Sequence, residues 1–410
     1  MDEFVIDPSR LRERFEKFNQ IGATDAGGVD RPTLTDANKR ARDLLVEWFE
    51  DAGLAVTVDE MGNIFGRREG GREDAAPIMF GSHVDSQCNG GRFDGVVGVL
   101  GALEVVESLN DAGHTTKRPL EIVSWTNEEG VRFQPDLLGS GVFSGKFDTQ
   151  FAYAREDEDG NTVEEELERI GYRGETPCEP RDLHCYLELH VEQGPYLDDN
   201  DLSVAAVDGV FGFSWLEVTF EGKADHAGPT PMDARQDALV GASDVVTAVR
   251  RLTATGGDDL VGTVGSMDVW PDSINVIPER VTFTVDLRSA DDAIVAAAVE
   301  RVAEAIEWAV RRESLDCEYE ELMRVDSATF DEECVETVVD AMREAGYAET
   351  RLTSGAGHDA SYLHDICPTA MVFVPSVDGV SHRESEYTEW EDVLAGVEVL
   401  GRAVVKRSDG

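Results

Sequence analysis

The chain reads as an α/β protein: a discontinuous domain on a mainly parallel sheet with helices on both faces, interrupted by an inserted α+β domain. Three observations carry this reading. Short apolar strands alternate with helical segments through residues 1–208. The texture then changes, between 209 and 324, to long strands of alternating polarity separated by two long helices. Strand–helix alternation returns over 325–410, so that segment is assigned to the first domain.

The elements follow in order. Ser9 to Asn19 and Asp36 to Ala52 read as helices, with Asp36 as N-cap and Gly53 at the far end. The strands LAVTVDE, NIFGRR and APIMFGSH come next, then the helical VVGVLGALEVVESLNDAG and the strand LEIVSWT. Another strand is YLELHVEQG. In the insert, FSWLEVTFEG, VGTVGSMDVW and RVTFTVDLRS alternate as sheet strands. Its helices are expected at Asp233 to Thr253 and Asp291 to Glu313, and its hinges near Gly209–Gly212 and Arg324. TAMVFVPS and WEDVLAGVEVLGRAVV close the chain as strand and helix.

The 410 residues carry 84 Asp+Glu against 36 Lys+Arg, a formal net charge of −48. Charge on this scale disfavours nucleic acid and anionic membranes as partners. The acids are dispersed and lysine is scarce, a pattern expected of a protein working in a high-salt cytoplasm. No apolar run approaches the roughly 20 residues that span a bilayer. The acidic start MDEFVIDPSR does not read as a secretory signal, which makes the expected location cytoplasmic. The six cysteines form no CxxC pair and are expected as free thiols; Cys88 is read as a small buried filler.

Ligands of parallel sheets gather beyond the carboxyl ends of strands. His83 ends one apolar strand, and Asp94 follows across a Gly-Gly turn in GSHVDSQCNGGRFDG. Glu128 and Glu129 follow another strand; on an extended backbone their side chains point to opposite faces, which permits two different jobs. His190 lies on a strand face with Glu188 and Glu192, and His382 lies beyond the last strand. Singly, each has a plain reading as a structural histidine or a surface acid. Together, at successive strand-to-loop junctions, they suit Zn, Mn or Co, and five such groups with one shared carboxylate suit a pair of ions.

The segments GSHVDSQCNGGRFDGVVGVLGALEV, TNEEGVRF, ELHVEQGP, ADHAGPTPMDARQDAL, SGAGHDA and VPSVDGVSHRESEYT resemble the hydantoinase/carbamoylase-type amidases. These belong to the aminoacylase/carboxypeptidase-G clan of dinuclear metallohydrolases. The branch includes N-carbamoyl-L-amino acid hydrolases, β-ureidopropionases and allantoate amidohydrolases, and the match runs from about residue 10 to residue 405.

The resemblance implies two divalent metal ions. His83, Asp94 and His190 hold one of them, and Asp94, Glu129 and His382 the other. It makes Glu128 the general base and Asp85 the carboxylate that fixes the His83 imidazole. It gives His226 the polarising of the scissile carbonyl in a neighbouring subunit, and hence a homodimer and a lid/dimerisation role for the insert. Asn275 and Arg288 grip a substrate carboxylate, while Gln193, Gly355 and Gly357 are candidates for holding the ureido end and the carboxylate. The implied substrate is a small molecule bearing a carboxylate and a ureido or amide group. The expected activity is hydrolysis of N-carbamoyl-L-amino acids to amino acid, ammonia and carbon dioxide. Allantoate, N-carbamoyl-β-alanine and N-acyl amino acids or peptides are the alternatives. A non-catalytic relative is disfavoured because all five ligands and Glu128 are present.

Overall fold

Local chemistry sets where the first helices begin. In the computed structural model, which describes residues 5–72, 74–255 and 260–410, α1 (Pro8–Phe18) starts where the Asp7 side chain accepts from the N–H groups of Ser9 and Arg10. α2 (Asp36–Asp51) is capped by Thr35, whose hydroxyl accepts from Asn38 N–H. The cap is therefore Thr35 and not Asp36, because Thr35 keeps an extended backbone while Asp36 is already helical and pairs with Arg169.

Two compact units follow: Met1–Asp208 with Thr329–Gly410, and Gly209–Ala328. The first part of the larger unit continues with β1 (Ala55–Val58), β2 (Ile64–Arg68), β3 (Ile78–His83), α3 (Val96–Asp111) and β4 (Leu120–Trp125). Then come α4 (Leu138–Phe143), α5 (Thr149–Tyr153), α6 (Val163–Ile170), β5 (Cys185–Val191), α7 (Tyr196–Asp199) and β6 (Ala205–Val210).

The smaller unit holds β7 (Gly212–Glu221), α8 (Ala238–Thr255), β8 (Val261–Trp270), β9 (Arg280–Ser289), α9 (Asp292–Glu313) and β10 (Asp316–Val325). Its sheet runs β10-β7-β9-β8, antiparallel throughout. Alternate residues of β7 and β9, among them Phe220 and Phe283, face Val245, Val249, Val302 and Ile306 in one apolar core. α8 begins at Ala238, later than the expected Asp233. Met232–Ala234 is a single 3-10 turn, and it is Asp237 whose carboxylate accepts from the N–H groups of Leu239 and Val240. β10 is a strand that its acidic sequence DCEYEELMRV concealed; it is an exposed edge, where charged side chains are tolerated and guard against stray pairing. The unit extends to Ala328, past Arg324, because β10 remains paired through Val325↔Phe213.

The chain returns to the larger unit through β11 (Ala328–Thr329), α10 (Glu332–Ala345), β12 (Arg351–Ser354), α11 (Ala360–Leu363), β13 (Thr369–Val374) and α12 (Trp390–Asp409). Its sheet runs β1-β2-β4-β3-β5-β13-β6-β11, with β12 against β6. The four central strands, β4, β3, β5 and β13, are parallel, and β1, β2 and β6 pair antiparallel around them.

Both faces of this sheet are covered, which is why its central strands are apolar and buried along their length. Leu189 on β5 meets α3 at Gly101 and α12 at Gly396. Its neighbour Glu188 points the other way and accepts from Ala360 N–H at the start of α11. No helix among the described residues is long and apolar enough to cross a membrane.

Candidate metal centre

The parallel strands deliver their polar residues to one end of the sheet. His83 is the last residue of β3 and lies opposite Trp125, the last residue of β4. His190 lies near the end of the adjacent β5, opposite Phe373 of β13. Asp94 stands just before α3, and Gly95 between them has φ 64°. A Cβ at Gly95 would come within 2.3 Å of His83 Nε2, so only glycine lets this turn close over the imidazole.

Glu128 and Glu129 are not on extended backbone, as the sequence suggested. β4 ends at Trp125, and Asn127 takes a left-handed φ of 58° that turns the chain. The two side chains still separate: Glu128 Oε2 is 3.4 Å from His83 Nε2, and Glu129 Oε2 is 3.7 Å from His382 Nε2. His382 and Gln193 also have positive φ, 55° and 60°. Such conformations cost a non-glycine residue about 1–3 kcal/mol and concentrate where surrounding structure enforces a working geometry.

Hydrogen bonds fix the imidazole tautomers. His83 Nδ1 lies 3.0 Å from the Asp85 carbonyl, and His190 Nδ1 lies 3.0 Å from the Val191 carbonyl. A carbonyl can only accept, so both Nδ1 atoms carry hydrogen, which in the neutral ring leaves the lone pair on Nε2. Those lone pairs face each other across 3.5 Å, with Asp94 Oδ1 3.2 Å from His190 Nε2. Burial holds His83 below the usual imidazole range despite Asp85 and Asp94 nearby. Two neutral lone pairs and a carboxylate converging on one point fit a cation.

Asp94 turns its other oxygen, Oδ2, to His382 Nε2 at 3.6 Å. The groups able to hold an ion are thus His83, Asp94 and His190, and Asp94, Glu129 and His382, with ligand atoms of each group within 4.8 Å of one another. A third group, Glu188, His190 and His358, lies deeper. The acids are poorly balanced by the protein itself. Burial pushes Glu128 well above the usual carboxylate range, and Glu129, Asp359, Asp94 and Asp85 push it further. Glu129 is raised by burial and then by Asp94 and Asp85.

Asp85 is placed differently from expectation in one respect. Its main-chain carbonyl, not its carboxylate, accepts from His83; carboxylate Oδ1 is 3.7 Å from Nδ1, with no hydrogen-bond partner among the described residues. Oδ2 accepts from Glu129 N–H at 3.4 Å. The buried guanidinium of Arg31 holds the same segment by donating to the Val84 carbonyl at 2.8 Å.

Several contacts carried no sequence signal. Gln87 donates to both oxygens of Glu129, from its backbone N–H at 3.0 Å and its side chain at 2.7 Å. Glu188 accepts from Ser82 Oγ and Ala360 N–H beneath His190, and the His358 ring stands edge-on to that of His190 at 4.5 Å. Glu192 caps α7 by accepting from Tyr196 and Leu197. Cys88, expected to be buried, is exposed because it sits on the loop between β3 and α3.

The remaining candidates divide between the units. Gln193, Gly355 and Gly357 belong to the larger one, the glycines on the exposed loop after β12. His226, Asn275 and Arg288 belong to the smaller one. There, Ala227 N–H donates to the Asn275 carbonyl at 2.9 Å, which ties the His226 and Asn275 loops together. The Gly228 N–H donates to His226 Nδ1 at 3.0 Å, leaving an exposed Nε2–H free to donate outward. Arg288 pairs with Asp286 at 2.9 Å and stacks over Phe213.

The family model for Peptidase family M20/M25/M40 matches residues 79–406, which include every residue of the metal centre. The chain belongs to this family. It is 41% identical over 404 residues to an N-carbamoyl-L-amino-acid amidohydrolase of Rhizobium meliloti, covering 98% of this chain and 97% of that protein. It is 31% identical to allantoate deiminase 1 of Glycine max, covering 95% of this chain and 88% of that one. Its fold is similar to the crystal structure of a hydantoinase/carbamoylase family amidase from Burkholderia multivorans, with a TM-score of 0.96 and 47% identity over 99% of both chains. Within the family, its kinship is with the hydantoinase/carbamoylase-type amidases.

Proposed function

We propose that this family member hydrolyses the carbamoyl C–N bond of N-carbamoyl-L-amino acids, releasing the amino acid, ammonia and carbon dioxide. The observation that carries the reading is the placing of Asp94 between two histidine groups, Oδ1 toward His190 and Oδ2 toward His382. Near-full-length kinship with a carbamoylase supports the choice of substrate.

His83, Asp94 and His190 would hold one divalent ion, and Asp94, Glu129 and His382 the other, with Asp94 shared. Zinc, manganese or cobalt ions, when bound, would polarise the substrate carbonyl and lower the pKa of water. Glu128, buried and raised, takes the proton from the attacking water and returns it to the leaving nitrogen. The bond that breaks joins the carbamoyl carbon to the amino-acid nitrogen. The carbamate so released decomposes to ammonia and carbon dioxide. Arg288 and Asn275 are assigned the substrate carboxylate, and Gln193, Gly355 and Gly357 the ureido end and the carboxylate. His226 is assigned the carbonyl oxygen in a neighbouring subunit's site; its outward Nε2–H suits donation to a developing oxyanion. A homodimer is then the working form, with the smaller unit as its lid and dimerisation element, and the cytoplasm the expected place of work.

Kinship with an allantoate deiminase favours allantoate as the second reading, since that molecule also joins ureido groups to a carboxylate. Product analysis of manganese- or zinc-loaded protein given N-carbamoyl-L-amino acids, N-carbamoyl-β-alanine and allantoate side by side separates them. Free amino acid from the first substrate, abolished in Glu128→Gln, supports the proposal. Ammonia from allantoate alone replaces it with the second reading.

A further inference from the structure

One carboxylate joins the two loops on which the centre depends. Glu386 is buried, and its Oε1 accepts from Asp94 N–H at 3.2 Å. Its Oε2 accepts from Ser381 Oγ at 3.2 Å and from His382 N–H at 3.3 Å. Asp94 precedes α3 and His382 follows β13, so no secondary structure links their backbones directly. His382 itself is half exposed and held at positive φ, a conformation that needs enforcement from outside the residue.

Room for the carboxylate comes from Gly91. A Cβ at that position would lie 2.0 Å from Glu386 Oε1 and 2.1 Å from its Cδ. The backbone of the Gly-Gly turn therefore packs directly against the carboxylate, and the turn and the clamp are one construction.

We propose that Glu386 is a positioning residue for the metal centre, clamping the main chain of Asp94 and of His382 so that Asp94 can serve both histidine groups at once. The inference rests on the metal-centre reading above and adds a residue to it. Glu386 acts through the backbone N–H groups of Asp94 and His382 and the hydroxyl of Ser381. Ligand-orienting residues of this kind typically govern about 10–100-fold in metal affinity. The group containing His382 depends on the clamp for two of its members, whereas His83 and His190 are anchored on β3 and β5. The loss should therefore fall unequally on the two ions.

The test is calorimetric titration of the full chain, stripped of metal, with Mn²⁺ and separately with Zn²⁺. Wild type, Glu386→Gln and Gly91→Ala are compared, with the melting temperature of each metal-free protein measured alongside. Glu386→Gln turns an amide toward N–H donors and releases one loop; Gly91→Ala leaves the carboxylate intact and displaces it. The expected result is two ions in wild type, and in both variants one ion of near wild-type affinity with the other weakened about 10–100-fold. Gly91→Ala carries the test by itself if Glu386→Gln melts early. Two ions bound with wild-type affinities in both variants would overturn the clamp, as would equal weakening of both ions together with a lowered melting temperature. Wild type that takes up no ion would instead overturn the metal centre itself.

Discussion

The side-chain amide of Gln193 lies 3.3 Å from each carboxylate oxygen of Asp94 and 3.2 Å from His382 Nε2. An amide nitrogen with two hydrogens is serving three acceptors, a position where positive charge would be better received. Gln193 stands beside the centre, and its amide is assigned to the substrate rather than to an ion. Gln193→Ala should leave divalent-ion affinity unchanged or slightly tighter and raise KM about 3–10-fold, the worth of one neutral hydrogen bond to substrate. Steady-state kinetics beside a metal titration checks this; a weakened metal site with unchanged KM would contradict it.

Glu128 reaches His83 Nε2 and is raised by burial and like-charged neighbours, a setting that suits proton transfer. Glu128→Gln should keep its metal content by elemental analysis while kcat falls about 10²–10⁴-fold. Loss of metal together with activity would make Glu128 a ligand.

Gly95 combines positive φ with contact against the His83 ring. Gly95→Ala should cost about 1–3 kcal/mol from the backbone alone, and it should weaken ion binding at His83 through displacement of the ring. A wild-type melting temperature and metal titration would show that the turn relaxes freely.

Asp59 offers a pH test away from the centre. Burial raises its carboxyl to about 6, although Met61 N–H, Asn63 N–H and the Asn63 amide all donate to it. Its folded pKa lies above the unfolded value of 3.8, so its contribution is fully present below that value and is lost as pH rises to about 6. The stability advantage of wild type over Asp59→Asn should shrink across this window, by about 3 kcal/mol for a shift of two units. Denaturant melts of both proteins at pH 4, 5 and 6 measure the gap; a constant gap would refute the assignment.

The net charge of −48 makes the folded chain repel itself at low ionic strength. Raising KCl from about 0.01 M to about 1 M shortens the Debye length from roughly 30 Å to roughly 3 Å and should raise the melting temperature and activity together. Full stability in dilute buffer would remove the high-salt reading of the composition.

How much of this could be read from sequence depends on what signals each feature. His83 and Glu128–Glu129 were legible because β3 and β4 are mainly apolar, buried strands, and polar residues stand out where such a strand stops. His190 was legible as the one imidazole within the buried strand CYLELHV. Glu386 was not: it is one acid among 84, and its meaning lies in a contact with a turn 292 residues earlier. At Asp85 the main-chain carbonyl lies closer to the His83 ring than the carboxylate does, and sequence, which distinguishes side chains, cannot show that a carbonyl has turned toward the ring. β10 was missed because an edge strand in solvent needs no apolar alternation.

A clamp between Glu386 and Asp94 would also tie the centre to a long-range closure of the chain. His83, Asp94 and His190 come from the first part of the larger unit, ahead of the inserted one. His382 and Glu386 come from its second part, Glu386 292 residues beyond Asp94. A centre divided in this way is completed only when both parts have met, so the second ligand group should assemble later in folding than the first.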